Sequence, residues 1–278
     1  MSAQTIVGVL ALQGAFSEHI QLLRQAALLI DQTHGNGLVW RFIEVRTEKE
    51  LDSCHALIIP GGESTTMSLV AVDSGLLEPL RQFVKVQRKP TWGTCAGLIL
   101  LAESANRTKR GGQELIGGLD VRVNRNHFGR QTESFQAELD LPFLVSSHAV
   151  KNQANKPFRT VFIRAPIVEK ILPHVVGIQD AEAERTDTVI APSREIDTKL
   201  CRQGYDQEVE VLARLPKDAA KKRGKEAVQL AEPGGDIVAV RQGNVFGTSF
   251  HPELTQDSRI HVWWLEQVLE QSSQRTNR

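Results

Sequence analysis

The sequence predicts a single α/β domain in which helices flank a mostly parallel central sheet. Three observations lead there. Apolar strand-like runs alternate with helix-periodic runs through the first hundred residues. Glycine-rich turns follow two of those strands. The 278 residues, 41% of them hydrophobic, can bury one large core without dividing in two. In chain order, residues 5–12 read as a buried strand, 15–29 as an amphipathic helix, and Val39–Val45 and Ala56–Ile59 as strands. Helices are expected around 63–70 and 76–87, then a strand at 91–92 and an apolar helical run at 98–102. Past Gly118, strand-like segments at 119–123, Ser134–Leu139, 160–163, 237–240 and 245–246 precede a closing helix at 257–270. This alternation puts a site beyond the carboxyl ends of the strands, where Gly61-Gly62 and Cys95 both fall.

Charge and composition narrow the function classes. Lys plus Arg and Asp plus Glu each total 33, so no overall field draws the chain to nucleic acid or to a membrane surface. The start, Met1-Ser2-Ala3-Gln4-Thr5, has no basic leader region, and no apolar stretch approaches the roughly 20 residues that span a bilayer. Three cysteines, odd and sparse, argue against a disulfide framework and for a reducing compartment, so a cytoplasmic location is expected. Cys54 reads as core and Cys201 as an incidental loop residue.

Cys95 carries the chemistry. It sits in Gly93-Thr94-Cys95-Ala96-Gly97, between a strand end and a helix, where flanking glycines permit a strained elbow that holds a nucleophile proud of the sheet. The first turn of the following helix would face the sulfur with unpaired amides. Alone, such a residue reads equally well as a small core side chain at a crowded turn. A base tips the balance. In Ser249-Phe250-His251-Pro252-Glu253 the i, i+2 spacing of extended chain puts His251 and Glu253 on one side, so that Glu253 can orient the imidazole that takes the Cys95 proton. A third element, Leu57-Ile58-Ile59-Pro60-Gly61-Gly62-Glu63-Ser64-Thr65-Thr66, ends a strand in two glycines. Their amides suit an oxyanion hole, with Gly62 and Ala96 as the donors, while Ser64 or Thr65 is expected to cap the next helix.

With these residues in place the chain resembles the class I glutamine amidotransferases, and more narrowly the glutaminase subunit of pyridoxal 5′-phosphate synthase. The blocks that carry the resemblance are Gly8 to Ala15 with Glu18-His19, Pro60 to Met67, Arg125 to Phe135, Phe162-Ile163-Arg164-Ala165-Pro166, and Ser249 to Thr255. It implies a flavodoxin-like, class I glutamine amidotransferase fold, one domain over 1–278 with added antiparallel strands. It also implies the triad Cys95, His251 and Glu253, and glutamine contacts at Gly61, Gly62, Glu63, Arg125, Ile163 and Arg164. From residues alone Arg125 and Arg130 read as solvated loop charges, and Gln13 as a hydrogen-bonded turn residue. The resemblance instead gives Arg125 a substrate contact and links Gln13 to activation by a partner. The implied reaction is hydrolysis of glutamine to glutamate, with ammonia passed to a barrel-shaped synthase subunit and with no metal or organic cofactor in this chain.

The chain is longer than compact members of that family around 31–37, around 141–156, and above all at about 179–233. The last stretch, of mixed charge and with the basic run Lys217 to Lys225, reads as a surface insertion. Two other readings stand beside the main one. Another triad amidotransferase or a γ-glutamyl hydrolase would keep the triad but not the Gln13-Gly14, Arg125 to Phe135 and Phe162 to Pro166 blocks together. A non-catalytic binding module would be favoured by a missing triad member, and none is missing.

Overall fold

A computed structural model describes residues 4–34, 38–107, 113–125, 127, 134–175, 177–193, 207–216 and 235–276. The expected elements occur in order, together with several short ones that the sequence pattern does not announce. They are β1 (Gln4–Leu10), α1 (Phe16–His34), β2 (Val39–Val45), α2 (Glu48–Asp52), β3 (Ala56–Ile59), α3 (Ser64–Asp73), α4 (Leu77–Arg81), β4 (Thr91–Thr94), α5 (Ala96–Leu101), β5 (Ala102–Asn106) and β6 (Leu119–Asn124). After them come β7 (Ser134–Leu139), β8 (Phe158–Ile163), β9 (Ile167–Ile171), α6 (Asp180–Ala183), β10 (Thr188–Ile190), β11 (Glu210–Leu215), β12 (Asp236–Gln242), β13 (Val245–Thr248) and α7 (Arg259–Thr276).

Among the described residues an 11-stranded sheet runs in the order β10-β5-β6-β9-β12-β13-β4-β3-β1-β2, with β11 also paired to β12. From β13 to β2 all pairs are parallel, and in the other half every pair is antiparallel except the parallel β5–β6. Strands β7 and β8 form a separate hairpin.

The parallel half is covered on both faces, which explains why β3 is apolar throughout. Ala56 and Ile58 join the core with Trp92, α1 and α7, whereas Leu57 and Ile59 join the other core with α3, α4 and α5. Each buried aliphatic side chain contributes about 1.5–3 kcal/mol. On the first face Trp92 packs against Phe246 and Trp264, with ring centroids 5.3 and 5.8 Å away.

Several elements differ from expectation. The apolar run at 98–102 stops being helical at Leu101, because the Leu100 carbonyl accepts from Ile116 and Gly117, and Ala102 turns extended to start β5. The helix expected over 76–87 is α4 followed by a π-helical turn, Gln82–Val86, from which buried Lys85 reaches Glu103 at 3.1 Å and the Pro192 carbonyl at 2.5 Å.

The stretch around 179–233 is not all surface. Its described ends form α6, β10 and β11, with β10 pairing β5 and β11 pairing β12. Buried Glu182 supplies the anchor, accepting from Ser104 at 2.7 Å and Arg122 at 2.6 Å, a pairing that local charge content does not reveal. Cys201, Arg130 and the basic run 217–225 lie outside the described residues. Cys54 is buried, as expected of core, and burial pushes its thiol up to about 11. Among the described residues no helix is long and apolar enough to cross a membrane.

Candidate active site

The carboxyl ends of β1, β3, β4 and β13 converge, and each delivers one part of a site. β4 ends in Thr94, and Cys95 follows with φ +48° and ψ −101°, outside the ordinary regions for an L-residue. Such a conformation costs about 1–3 kcal/mol and persists because its surroundings fix it. The Cys95 amide donates to the Thr248 carbonyl at 2.8 Å, tying the elbow to β13. The flanking glycines are steric requirements. A Cβ on Gly93 would come within 2.5 Å of the Gly97 carbonyl carbon, and one on Gly97 within 2.0 Å of the Ile59 carbonyl oxygen.

His251 and Glu253 follow β13. The His251 amide donates to the Val161 carbonyl at 2.8 Å, and its ring Nδ1 lies 2.7 Å from Glu253 Oε1. His251 and Glu253 do meet, but not through the extended-chain geometry that the i, i+2 spacing predicts. Residues Pro252–Leu254 form a 3-10 turn with Pro252 at its first position, so the turn rather than extended chain folds the carboxylate back under the ring. Gly61 makes room for that ring, since a Cβ there would meet His251 Cε1 at 2.2 Å.

Burial works against the imidazolium form of His251, but the charge and hydrogen bond of Cys95, followed by those of Glu253, outweigh it and raise the pKa to about 10. Burial also penalises the Glu253 carboxylate, yet His19 and then His251 hold it far below the usual carboxylate range. Proton traffic can therefore run between sulfur and ring, with Glu253 staying charged.

A cavity of about 460 Å³ opens over the sulfur, lined by Gly62, Glu63, Ser64, Cys95, Ile99, Arg125, Ile163, Arg164 and His251. Arg125 is buried, and its Nη2 donates to Ser64 Oγ at 2.9 Å and Thr65 Oγ1 at 3.0 Å while its backbone amide donates to Asn106 Oδ1. Desolvation pulls the guanidinium below the usual arginine value, and the Glu63 charge, 4.0 Å away, partly offsets this.

Glu63 itself, rather than Ser64 or Thr65, caps α3. Its carboxylate accepts from the amides of Thr65 at 3.2 Å and Thr66 at 2.7 Å, which frees the two hydroxyls for Arg125. The backbone carbonyl of Ile163 lies 3.9 Å from Cys95 Sγ, and Arg164 adopts φ +44° beside it. Gln13 stands at the mouth of the Gly61-Gly62 turn, where its Oε1 accepts from the Glu63 amide at 3.2 Å. The Gly62 amide and that of Ala96, at the first turn of α5 where amides lack intrahelical partners, belong to the two loops that bracket the sulfur.

Ile99 and Asn106 were not foreseen from sequence. Asn106 could not have been, because β5 itself was unrecognised. Asn126 and residues 128–133 of the Arg125 to Phe135 block lie outside the described residues. Among the described residues no group of three or more His, Cys, Asp or Glu side chains is placed to hold a metal ion.

Comparison with known proteins gives this geometry a family. The SNO glutamine amidotransferase family matches residues 9–199 and 197–270. The chain is 40% identical over 264 residues to a protein of Arabidopsis thaliana named "Probable pyridoxal 5'-phosphate synthase subunit PDX2", covering 95% of this chain and 86% of that one. It is 36% identical over 264 residues to the pyridoxal 5′-phosphate synthase subunit PdxT of Methanosarcina mazei, covering 95% of this chain and 98% of the relative. A solved structure described as a glutamine amidotransferase superposes with a TM-score of 0.60 at 33% identity, covering 94% of this chain and 98% of that one. With most of its length matched and relatives well above the identity at which fold and family diverge, the chain belongs to the SNO glutamine amidotransferase family.

Proposed function

We propose that this chain is the glutaminase subunit of a pyridoxal 5′-phosphate synthase, acting in the cytoplasm through Cys95, His251 and Glu253. The observation that carries the reading is Cys95, held at positive φ with its sulfur at the floor of a cavity and its charge coupled to the His251–Glu253 pair. Free glutamine presents an α-carboxylate, and Arg125 is the buried cation on that cavity's wall. Glu63, the Gly61-Gly62 turn and the Ile163-Arg164 pair complete the cradle.

The Cys95 sulfur attacks the side-chain amide carbon, and the oxygen that becomes charged is stabilised by the Gly62 and Ala96 amides. As the carbon–nitrogen bond breaks, His251 gives its proton to the departing ammonia, leaving a γ-glutamyl thioester. Water then loses a proton to His251 and attacks the thioester, releasing glutamate and restoring the thiol–imidazole pair. This chemistry calls for neither a metal nor an organic cofactor. Ammonia passes to a barrel-shaped synthase subunit, and Gln13, bonded to the peptide after Gly62, couples docking of that subunit to the oxyanion loop. The test is glutamate release with and without a synthase subunit. Stimulation by the subunit supports the assignment, whereas release indifferent to it returns the partner question to the other amidotransferases.

Two outcomes follow for the cavity. Arg125→Leu removes a charge-assisted contact worth about 2–3 kcal/mol to the bound substrate. KM for glutamine should rise about 30- to 100-fold with kcat within a few-fold, the signature of binding lost equally from ground and transition states. Steady-state glutaminase kinetics check it, and a loss confined to kcat would assign Arg125 another role.

The raised His251 pKa sets the second outcome. The ring must carry a proton to release ammonia, so kcat/KM should hold well above the ordinary histidine value and decline as pH rises toward about 10. Glu253→Gln deletes a charge that favours the imidazolium, so the alkaline limb should move to lower pH and kcat should fall by about 10-fold or more. An unmoved limb in a pH profile of that variant would contradict the coupling.

A further inference from the structure

A buried histidine outside the proposed triad touches its acid. His19, on the first turns of α1 and 0% exposed, places Nε2 3.3 Å from Glu253 Oε2 and 3.3 Å from Thr94 Oγ1, while its Nδ1 lies 3.0 Å from Nε2 of His261 on α7. Glu253 Oε1 is taken by His251, whereas buried Oε2 makes no full hydrogen bond among the described residues, and the polar group set beside it is His19 Nε2 at 3.3 Å. From these contacts we propose that His19 is a positioning residue, a fourth member of the Cys95–His251–Glu253 array that fixes the Glu253 carboxylate through its second oxygen. The inference rests on the triad reading above.

The proton placement follows from the orphaned atom at the end of the chain. Among the described residues, buried His261 Nδ1 has no hydrogen-bond partner. A bare ring nitrogen tolerates that better than an N–H, whose desolvation would go uncompensated. The His261 proton therefore sits on Nε2 and donates to His19 Nδ1, which leaves the His19 proton on Nε2, the nitrogen that lies 3.3 Å from both Thr94 Oγ1 and Glu253 Oε2. The reverse arrangement would strand a buried N–H on His261 and turn a lone pair of His19 toward a carboxylate. Burial, then the neighbouring His19, holds His261 well below the ordinary histidine value, in keeping with a neutral donor ring.

The titratable groups that face Glu253 among the described residues are His251 from its own loop, His19 from α1 and His261 from α7, with β4 adding only the Thr94 hydroxyl. Of these, His19 is the largest influence favouring the charged carboxylate. α1 also follows directly on the Gln13-Gly14 loop, so the side chain that bonds the oxyanion turn and the one set beside the triad acid come from neighbouring parts of the chain.

Two amide substitutions separate positioning from mere filling. The side-chain nitrogen of Gln falls near imidazole Nε2 and that of Asn near Nδ1, so His19→Gln keeps a donor toward Glu253 and His19→Asn does not. His19→Asn should lower the kcat of glutamine hydrolysis about 10- to 100-fold with KM within about twofold, and His19→Gln should recover most of the loss. In His19→Asn the acid limb of kcat/KM should move to higher pH, because Glu253 loses a donor that favours its charged form and takes up a proton sooner as pH falls. In a Glu253→Gln background the His19→Asn change should add little further loss, since the two act as one unit. Equal kcat for the Asn and Gln variants, an unmoved acid limb, or full additivity would overturn the proposal. The Cys95→Ala enzyme, assayed alongside, separates the two levels. If it still releases glutamate the triad reading fails, and if it is inactive while the His19 pair behave alike, only the role of His19 falls.

Discussion

Cys95→Ala should reduce glutamate release to background, a fall of at least about 10⁴-fold, without loss of the folded structure. The size follows from the division of labour in the site. The oxyanion amides and the Arg125 pocket remain in the variant, but no atom is left to form the thioester, and nucleophile deletion in comparable arrays leaves only the small residual rate supplied by binding and electrostatics. Alanine keeps the Cβ, so the elbow stays strained, and glutamine should bind with nearly unchanged affinity. Cys95→Gly makes a sharper comparison. It is equally inactive, but at φ +48° glycine pays no penalty, so the protein should gain about 1 kcal/mol against denaturant despite losing a side chain. A chain that spends stability to hold one thiol in an unfavourable conformation would thereby be shown to do so for chemistry. Undiminished glutamate release from either variant would remove Cys95 from the mechanism, and a destabilised glycine variant would mean that the elbow is held by packing of the thiol itself.

The site was legible to the extent that its chemistry is local. Cys95 between two glycines, His251 two residues before Glu253, and the Gly61-Gly62 turn each announce themselves within a few residues, and the strands β2 and β3 are bounded as the sequence pattern indicates because their neighbours are turn formers and polar residues. What the sequence concealed depends on partners far along the chain. β10 and β11 are short edge segments whose strand character comes from pairing with β5 and β12, so their mixed polarity reads as surface loop until the partner is known. Ser64 and Thr65 are hard to place from sequence for the same reason. Both fit a helix cap by position, but Glu63 takes that place and releases them to Arg125, which arrives from the other end of the chain's first half. His19 is the extreme case. On α1 it is one polar residue in an amphipathic pattern, and nothing nearby in sequence says that it faces a carboxylate and a second histidine more than two hundred residues away.

Gly97→Ala should be among the most damaging single methyl groups that can be added to this chain's site. The Cβ would lie 2.0 Å from the Ile59 carbonyl oxygen and 2.9 Å from its carbon, and neither atom can yield, because Ile59 is a buried member of β3 paired to Gly93 of β4. Relief requires α5 to lift from the sheet by about 1 Å, opening the packing of Leu98 and Leu101 beneath it. Overpacking of this kind costs about 1–3 kcal/mol, and backbone contacts lie at the upper end. The catalytic loss should exceed the stability loss in consequence. Cys95 is two residues away on the same rigid turn, and a displacement of about 1 Å at the nucleophile separates it from both His251 and the oxyanion amides, for which a fall of about 10²-fold in kcat is expected. Gly75→Ala supplies the control. Its φ of +72° strains any side chain, but a Cβ there meets nothing within 4 Å and the position lies beyond the end of α3, remote from the sulfur. It should lose about 1 kcal/mol by denaturant titration and keep full glutaminase activity. Were Gly97→Ala to behave like Gly75→Ala, the close approach of α5 to β3 would have no part in aiming the thiol, and the elbow would owe its geometry to the Cys95–Thr248 hydrogen bond and the Gly93 turn alone.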